Sequence, residues 1–181
     1  MTSGGQEVGA AALLEFRRRK DEHFASGRGP IRGEALETFA GLSYYPSDLA
    51  LRFQLPLDPG TGEEATLQTS TGEPRQMQAY GTVLVPLSEG EAVLTLYAAL
   101  GEEAPASLFL PFRDAGSGSE SYGAGRYLDV PTFEREGDVW VKLDFNLAYH
   151  PYCAYSGAWV CPLPPAQNWL GMVVRAGERL Q

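Results

Sequence analysis

Residues 77–100 read MQAYGTVLVPLSEGEAVLTLYAAL, and this stretch decides the fold. Val83, Val85 and Leu87 fall at every second position, the period at which successive side chains share one face of a β-strand. Gly81 interrupts the run where a β-bulge would re-aim it. Glu89-Gly90 is a hairpin-type turn, and Ala92–Leu100 is a second strand, apolar on both faces and therefore expected at the middle of a sheet. Two long strands joined by a tight turn commit this part of the chain to antiparallel pairing.

Working outward, the same pattern recurs on both sides. Upstream, Leu51, Phe53, Leu55 and Leu57 alternate with Arg52, Gln54 and Pro56, and a turn at Asp58–Gly62 leads to a weaker strand through Ala65, Leu67 and Thr69. Downstream, strands are expected at Ser107–Phe112, Arg126–Val130, Val139–Leu147 and finally Met172–Arg175, with a small-residue loop (114–125) and a turn at Glu136–Asp138 between them. With no helical pattern separating these strands, the expected fold is mainly β, an antiparallel meander closed into a barrel or sandwich. One N-terminal α-helix is expected from Val8 to Ala25, where Leu13, Phe16, Lys20 and Phe24 recur at three- and four-residue steps and Glu15 and Arg19 form an i,i+4 pair. Gly27-Arg28-Gly29-Pro30 ends it, and the helix is expected to cap an end or edge of the sheet. Residues 1–7 read as a flexible tail and residues 8–181 as a single β-rich domain.

The composition narrows the function classes. Thirteen prolines and twenty-one glycines in 181 residues favour turns over a helical bundle. A formal net charge of −9 opposes nucleic-acid binding, which depends on Lys and Arg neutralising phosphates, and opposes docking on anionic membranes. The N-terminus has no basic segment followed by an apolar one, and no run approaches the length of a spanning helix, so the expected location is the cytoplasm. Two cysteines are too few for a secreted disulfide scaffold and are expected as reduced thiols there.

Chemistry-bearing residues concentrate in Asp144–Asn168, DFNLAYHPYCAYSGAWVCPLPPAQN. Seven residues separate Cys153 from Cys161, so a hairpin tip at Ser156-Gly157 would make them cross-strand partners. Three states stay open for the pair: packed thiols beside Tyr155 and Trp159, a reversible disulfide, or two ligands of a metal site with His150 as a third. No cofactor is expected, since the spacing matches no standard zinc motif. Asp144 and Asn146 share one strand face ahead of an irregular loop, where they could line a pocket or hold the loop's backbone. Arg113-Asp114 and Arg126 bracket the Gly/Ser-rich loop and form a candidate cradle for a carboxylate or phosphate; an ion pair tying the loop down is the alternative.

Leu110–Gly118 (LPFRDAGSG), Tyr122–Asp129 (YGAGRYLD), Asp144–Tyr155 and Cys161–Asn168 together resemble the bacterial and archaeal domain-of-unknown-function family 1684, as do Gly41–Pro46 and Arg175–Glu178. The resemblance spans nearly the whole chain. It implies a prokaryotic, stand-alone, single-domain protein and brings no activity or ligand with it. The family pattern more often has Asn at the position of His150.

Three readings follow from the residues. The first is a small-ligand binding domain taking an anion in a polar pocket whose walls are the 113–126 loop (Arg113, Asp114, Arg126) and the 144–161 segment (Asp144, Asn146, Tyr149, Trp159), with Tyr152 as further apolar lining. The second is an enzyme, redox or metal protein using Cys153, Cys161 and His150. The third is a structural or interaction domain in which these residues only stabilise unusual loops.

Overall fold

The computed structural model describes residues 3–181, with side chains described from Gly9 onward. The tail expected at residues 1–7 falls outside the residues whose side chains are described. Two helices, α1 (Ser3–Ala25) and α2 (Glu34–Glu37), precede the sheet. The strands β2 (Arg52–Pro56), β3 (Asp58–Pro59), β4 (Glu64–Leu67), β5 (Arg75–Leu87), β6 (Gly90–Ala98), β7 (Ser107–Phe112), β8 (Arg126–Arg135) and β9 (Asp138–Asp144) follow one another as an antiparallel meander. A separate two-stranded ladder pairs β1 (Ser43–Tyr44) with β10 (Glu178–Arg179).

The meander curls until its ends meet. β9 pairs back onto β2 with Phe53 opposite Leu143, while β3, the continuation of β2, pairs with β5 through Asp58 and Thr82. Leu57, the residue between β2 and β3, donates its N–H to Val139 O at 2.9 Å. One strand thus serves both edges, and the sheet is a nearly closed barrel, which removes the exposed edges a flat meander would carry. The inward positions Val83, Val85, Leu94, Leu96, Leu110, Leu128, Val130, Val141 and Leu143 form the core. The expected bulge is present, with the β5–β6 register shifting between Ala79 and Gly81.

The barrel has one seam. β6 and β7 pair only at Tyr97 and Phe109, and Pro111 on β7 has no N–H to offer. Asn168, fully buried, fills the gap: its Oδ1 accepts from Thr95 N and its Nδ2 donates to Thr95 O and Pro111 O, all at 2.8 Å. The side-chain amide therefore stands in for a missing peptide unit of the ladder.

The strand expected at Met172–Arg175 is absent. Those residues form an irregular segment whose Val174 carbonyl, like those of Ala176 and Glu178 beyond it, accepts from the Arg126 guanidinium. The strand expected to run on to Leu147 ends at Asp144, with a 3-10 turn over Phe145–Leu147.

Helix α1 stops at Gly27, whose φ of 73° ends the α-helical path. Glu15 pairs with Arg19 as expected, at 2.7 Å. The helix docks through its C-terminal half: Phe24 is buried against Phe39, Tyr152 and Tyr155, Asp21 accepts from Leu42 N at 3.0 Å, and Lys20 pairs with the buried Glu178. It thereby covers the β1–β10 ladder and the segment after β9. No helix among the described residues is long and apolar enough to cross a membrane.

Candidate functional site

Arg126 opens β8, between β7 and β9, and points into the protein, with 1 % of its surface exposed. Its Nη2 donates to Asp114 Oδ2 at 2.6 Å and to Val174 O at 2.7 Å, and its Nη1 donates to Ala176 O at 2.6 Å and Glu178 O at 3.0 Å. Asp114 also accepts from Gly116 N at 2.9 Å and Val174 N at 3.1 Å. Both terminal nitrogens of Arg126 and both carboxylate oxygens of Asp114 are occupied by the protein itself. Arg113, the neighbour in sequence, points away and stacks on the Trp169 ring 4.7 Å from its centroid. The two arginines do not form a common cradle.

Asp144 and Asn146 lie elsewhere, beneath the N-terminal half of α1. Asp144 pairs with Arg52 at 2.9 Å and caps its own 3-10 turn by accepting from Asn146 N at 3.0 Å. The buried Asn146 amide grips Asp48 by both backbone groups, at 2.7 Å and 2.8 Å. A cleft of about 260 Å³ lies over this pair, lined by Leu13, Phe16 and Leu147. The loop-holding alternative for these two residues describes their contacts, and they share no cavity with Arg126.

His150 and the cysteines sit on the segment after β9. His150 Nε2 accepts from Tyr122 N at 3.2 Å, and burial, reinforced by the nearby charges of Arg126 and Lys20, depresses its pKa to about 3. The ring is a neutral acceptor in this fold. Ser156-Gly157 is not a hairpin tip: Cys153 belongs to a 3-10 turn (Tyr152–Ala154), and Cys161 lies in extended chain tied to Ser70, with Ser70 N donating to Cys161 O at 3.0 Å. Proline at 162 and 164 removes the N–H groups a paired strand would need there. The cysteines still meet, since Cys153 N lies 3.4 Å from Cys161 Sγ. Burial, and then contact with Cys161, push the Cys153 thiol up to about 11. Among the described residues no three His, Cys, Asp or Glu side chains gather as a metal site, so His150 does not complete a set with the two cysteines.

Tyr149 and Trp159 lead to a different cavity. A groove of about 610 Å³ runs between α1 and the 149–162 segment. Phe16, Lys20 and His23 come from the helix; Tyr149, Tyr152 and Trp159 form the facing wall. Tyr152 and Trp159 pack edge to face at 4.9 Å, which leaves the indole 43 % exposed. Tyr149 donates to Asp129 Oδ2 at 3.1 Å and lies under Lys20 Nζ, 4.7 Å from the ring centroid. Lys20 is committed to Glu178, and Arg19 to Glu15. Arg75 at the opposite rim has no hydrogen bond or ion pair from its side chain to any other described residue, and His23 likewise makes no side-chain hydrogen bond. Sequence reasoning missed Lys20, His23, Arg75, Tyr127 and Glu178. Lys20 carried a signal, a charged residue on the buried stripe of α1, but Arg75 is brought to the groove by tertiary folding alone.

A family model described as "Protein of unknown function (DUF1684)" matches residues 37–179. The solution NMR structure of an uncharacterized protein of Haloarcula marismortui superposes with a TM-score of 0.75 at 34 % identity, covering 99 % of this chain and 98 % of the other. No curated protein matches. The family match begins beyond α1, so the helical wall of the groove lies outside it, whereas the archaeal structure extends over that wall as well.

Proposed function

The chain belongs to the DUF1684 family of proteins of unknown function, and from the geometry of the groove we propose that it binds a small anion with a flat apolar body between α1 and the 149–162 segment. The observation that carries this reading is an aromatic wall, half-buried Tyr152 and exposed Trp159, in one groove with a guanidinium, Arg75, that no other described residue pairs. The volume, about 610 Å³, falls within the roughly 300–1,000 Å³ of small-molecule sites. In a chain of net charge −9, Arg75 is a local positive group, and no other described residue takes a side-chain hydrogen bond from it or from the neighbouring His23. The anionic ligand inferred from the sequence is kept, but its place moves. Arg126 and Asp114 are consumed inside the fold, so the cation must come from the rim.

Thermal-shift and calorimetric titration with aromatic carboxylates and their uncharged amides tests this. The carboxylates are expected to raise Tm and the amides to bind more weakly. Trp159→Ala and Arg75→Ala are expected each to lower affinity at least tenfold without lowering Tm of the free protein by more than a few degrees. Equal binding of acid and amide, or unchanged affinity in both variants, refutes the reading.

A scaffold or interaction domain is the second reading. It is favoured by the spending of Arg126, Asp114, Asn146 and Asn168 on backbone groups. The same titration separates the two, because a scaffold gains no stability from any anion. Catalysis by Cys153, Cys161 and His150 draws no support from a thiol pushed up to about 11 and an imidazole held neutral.

A further inference from the structure

We propose that Cys153 and Cys161 form a reversible dithiol–disulfide site that locks the 151–162 segment, whether or not the groove takes a ligand. They are the only two cysteines of the chain, and folding places them against one another. Cys153 N is 3.4 Å from Cys161 Sγ, and Cys161 adds to burial in raising the Cys153 thiol. Neither belongs to a sheet ladder, so the turn holding Cys153 can rotate its side chain without breaking strand pairing. Their accessibilities differ: Cys153 is half-buried and Cys161 buried. Cys161 is also the fixed partner, since Ser70 bonds its backbone from both sides and Tyr127 Oη donates to the carbonyl of the adjoining Pro162. A half-exposed thiol beside an anchored, sheltered one is the arrangement of an attacking and a resolving cysteine.

The oxidant is a low-molecular-weight disulfide of the glutathione class. The Cys153 thiol gives its proton to solvent and the thiolate attacks one sulfur of the small disulfide, forming a mixed disulfide and releasing one small thiolate, which is protonated. Cys161, deprotonated in turn, attacks Cys153 Sγ and displaces the second small thiolate. The two protein thiols lose two electrons and two protons, and one small disulfide becomes two small thiols. Burial pushes Cys153 up to about 11, so the first step is expected to accelerate about tenfold for each pH unit between neutral and about pH 10. The disulfide closes a short loop that includes Trp159 and ties together two segments that also line the groove.

The test uses the whole chain, reduced and then equilibrated with oxidised glutathione, with intact mass measured after alkylation. The expected product takes up no alkyl group and is lighter by two hydrogens. Tm rises by up to roughly 5–10 °C. Amides in residues 152–162 gain protection in hydrogen exchange, and dithiothreitol reverses all three changes. The Cys161→Ser chain is expected to stop at one glutathione adduct on Cys153. The proposal is overturned if both wild-type thiols remain alkylatable after equilibration. It is also overturned if a disulfide-linked dimer forms instead, or if the Cys161→Ser chain takes up no adduct. None of these readouts involves a groove ligand, so failure of the binding reading leaves the result unaffected.

Discussion

Replacing Arg126 tests whether this residue is architecture or a ligand contact. Removing its guanidinium leaves the Asp114 carboxylate buried without its cation, a defect that costs about 3–5 kcal/mol when one partner of a buried pair is lost. The carbonyls of Val174, Ala176 and Glu178 lose their donor as well, at about 1–3 kcal/mol for each one left unsatisfied. These costs do not sum in full, because Asp114 keeps the N–H groups of Gly116 and Val174 and the C-terminal segment can relax toward water. A floor of about 5 kcal/mol remains, comparable to the roughly 5–15 kcal/mol that holds a domain folded. Arg126→Met is therefore expected not to fold on its own. Arg126→Lys keeps a charge but not the planar fork that reaches four acceptors, and it is expected to lose about 2–4 kcal/mol, read as a lower urea midpoint at unchanged slope. Combining Arg126→Met with Asp114→Asn removes the charge imbalance, so the double variant is expected to recover folded protein that Arg126→Met alone lacks. A folded Arg126→Met with a urea midpoint near the wild type, or an Arg126→Lys within about 1 kcal/mol of it, refutes the reasoning.

Asn168→Ala strips Thr95 N, Thr95 O and Pro111 O of their partner at the β6–β7 seam and is expected to cost about 3–5 kcal/mol by urea unfolding, with hydrogen exchange faster at Thr95; a loss under about 1 kcal/mol refutes the seam account. His150 gives a pH dependence: its pKa falls from about 6.5 unfolded to about 3 folded, so stability present above the unfolded value is lost as pH drops from 6.5 toward 3. The loss is expected to reach about 2–3 kcal/mol by about pH 4.5, and His150→Asn, whose carbonyl can accept from Tyr122 N without titrating, is expected to remove that part of the slope. A wild-type-minus-variant difference that stays constant across this range refutes the assignment. Lys20→Met leaves Glu178 without its cation and is expected to destabilise by about 3 kcal/mol and to loosen α1, whereas Arg19→Met on the exposed face is expected to change stability by less than about 1 kcal/mol; equal effects refute the docking role given to Lys20.

The barrel strands were legible because each had to satisfy a local rule. Alternation through Val83, Val85 and Leu87 and the turn at Glu89-Gly90 leave few alternatives to a hairpin, and the bulge at Gly81 sits where the missing side chain announced it. The turn at Glu136–Asp138 was legible too, with Glu136 and Gly137 both at positive φ in a two-residue turn, but β8 runs on to Arg135, past the Val130 at which the sequence placed its end. Met172–Arg175 misled because an apolar run reads the same whether its carbonyls face a strand or a side chain, and the donor is Arg126, far away in sequence. The cysteine hairpin failed similarly. Equal spacing about Gly157 describes a possible register, but the chain after Cys161 instead lies against Ser70 and Tyr127.

By itself, the sequence determined the antiparallel meander, the stop of α1, and the residues on which the chain concentrates its polar chemistry. Those properties follow from period, turn chemistry and composition, all of which act over a few neighbouring residues. Tertiary structure alone decided how each polar group is used. Arg126 and Asp114 became a buried clasp, Asn146 and Asn168 substitutes for peptide units, and His150 a neutral acceptor. The groove likewise arises only when α1 settles beside the 149–162 segment and Arg75 reaches its rim. A buried charge or amide takes whatever partner the closed barrel brings within about 3 Å, and that partner lies between 12 and 98 residues away, beyond the reach of any local pattern.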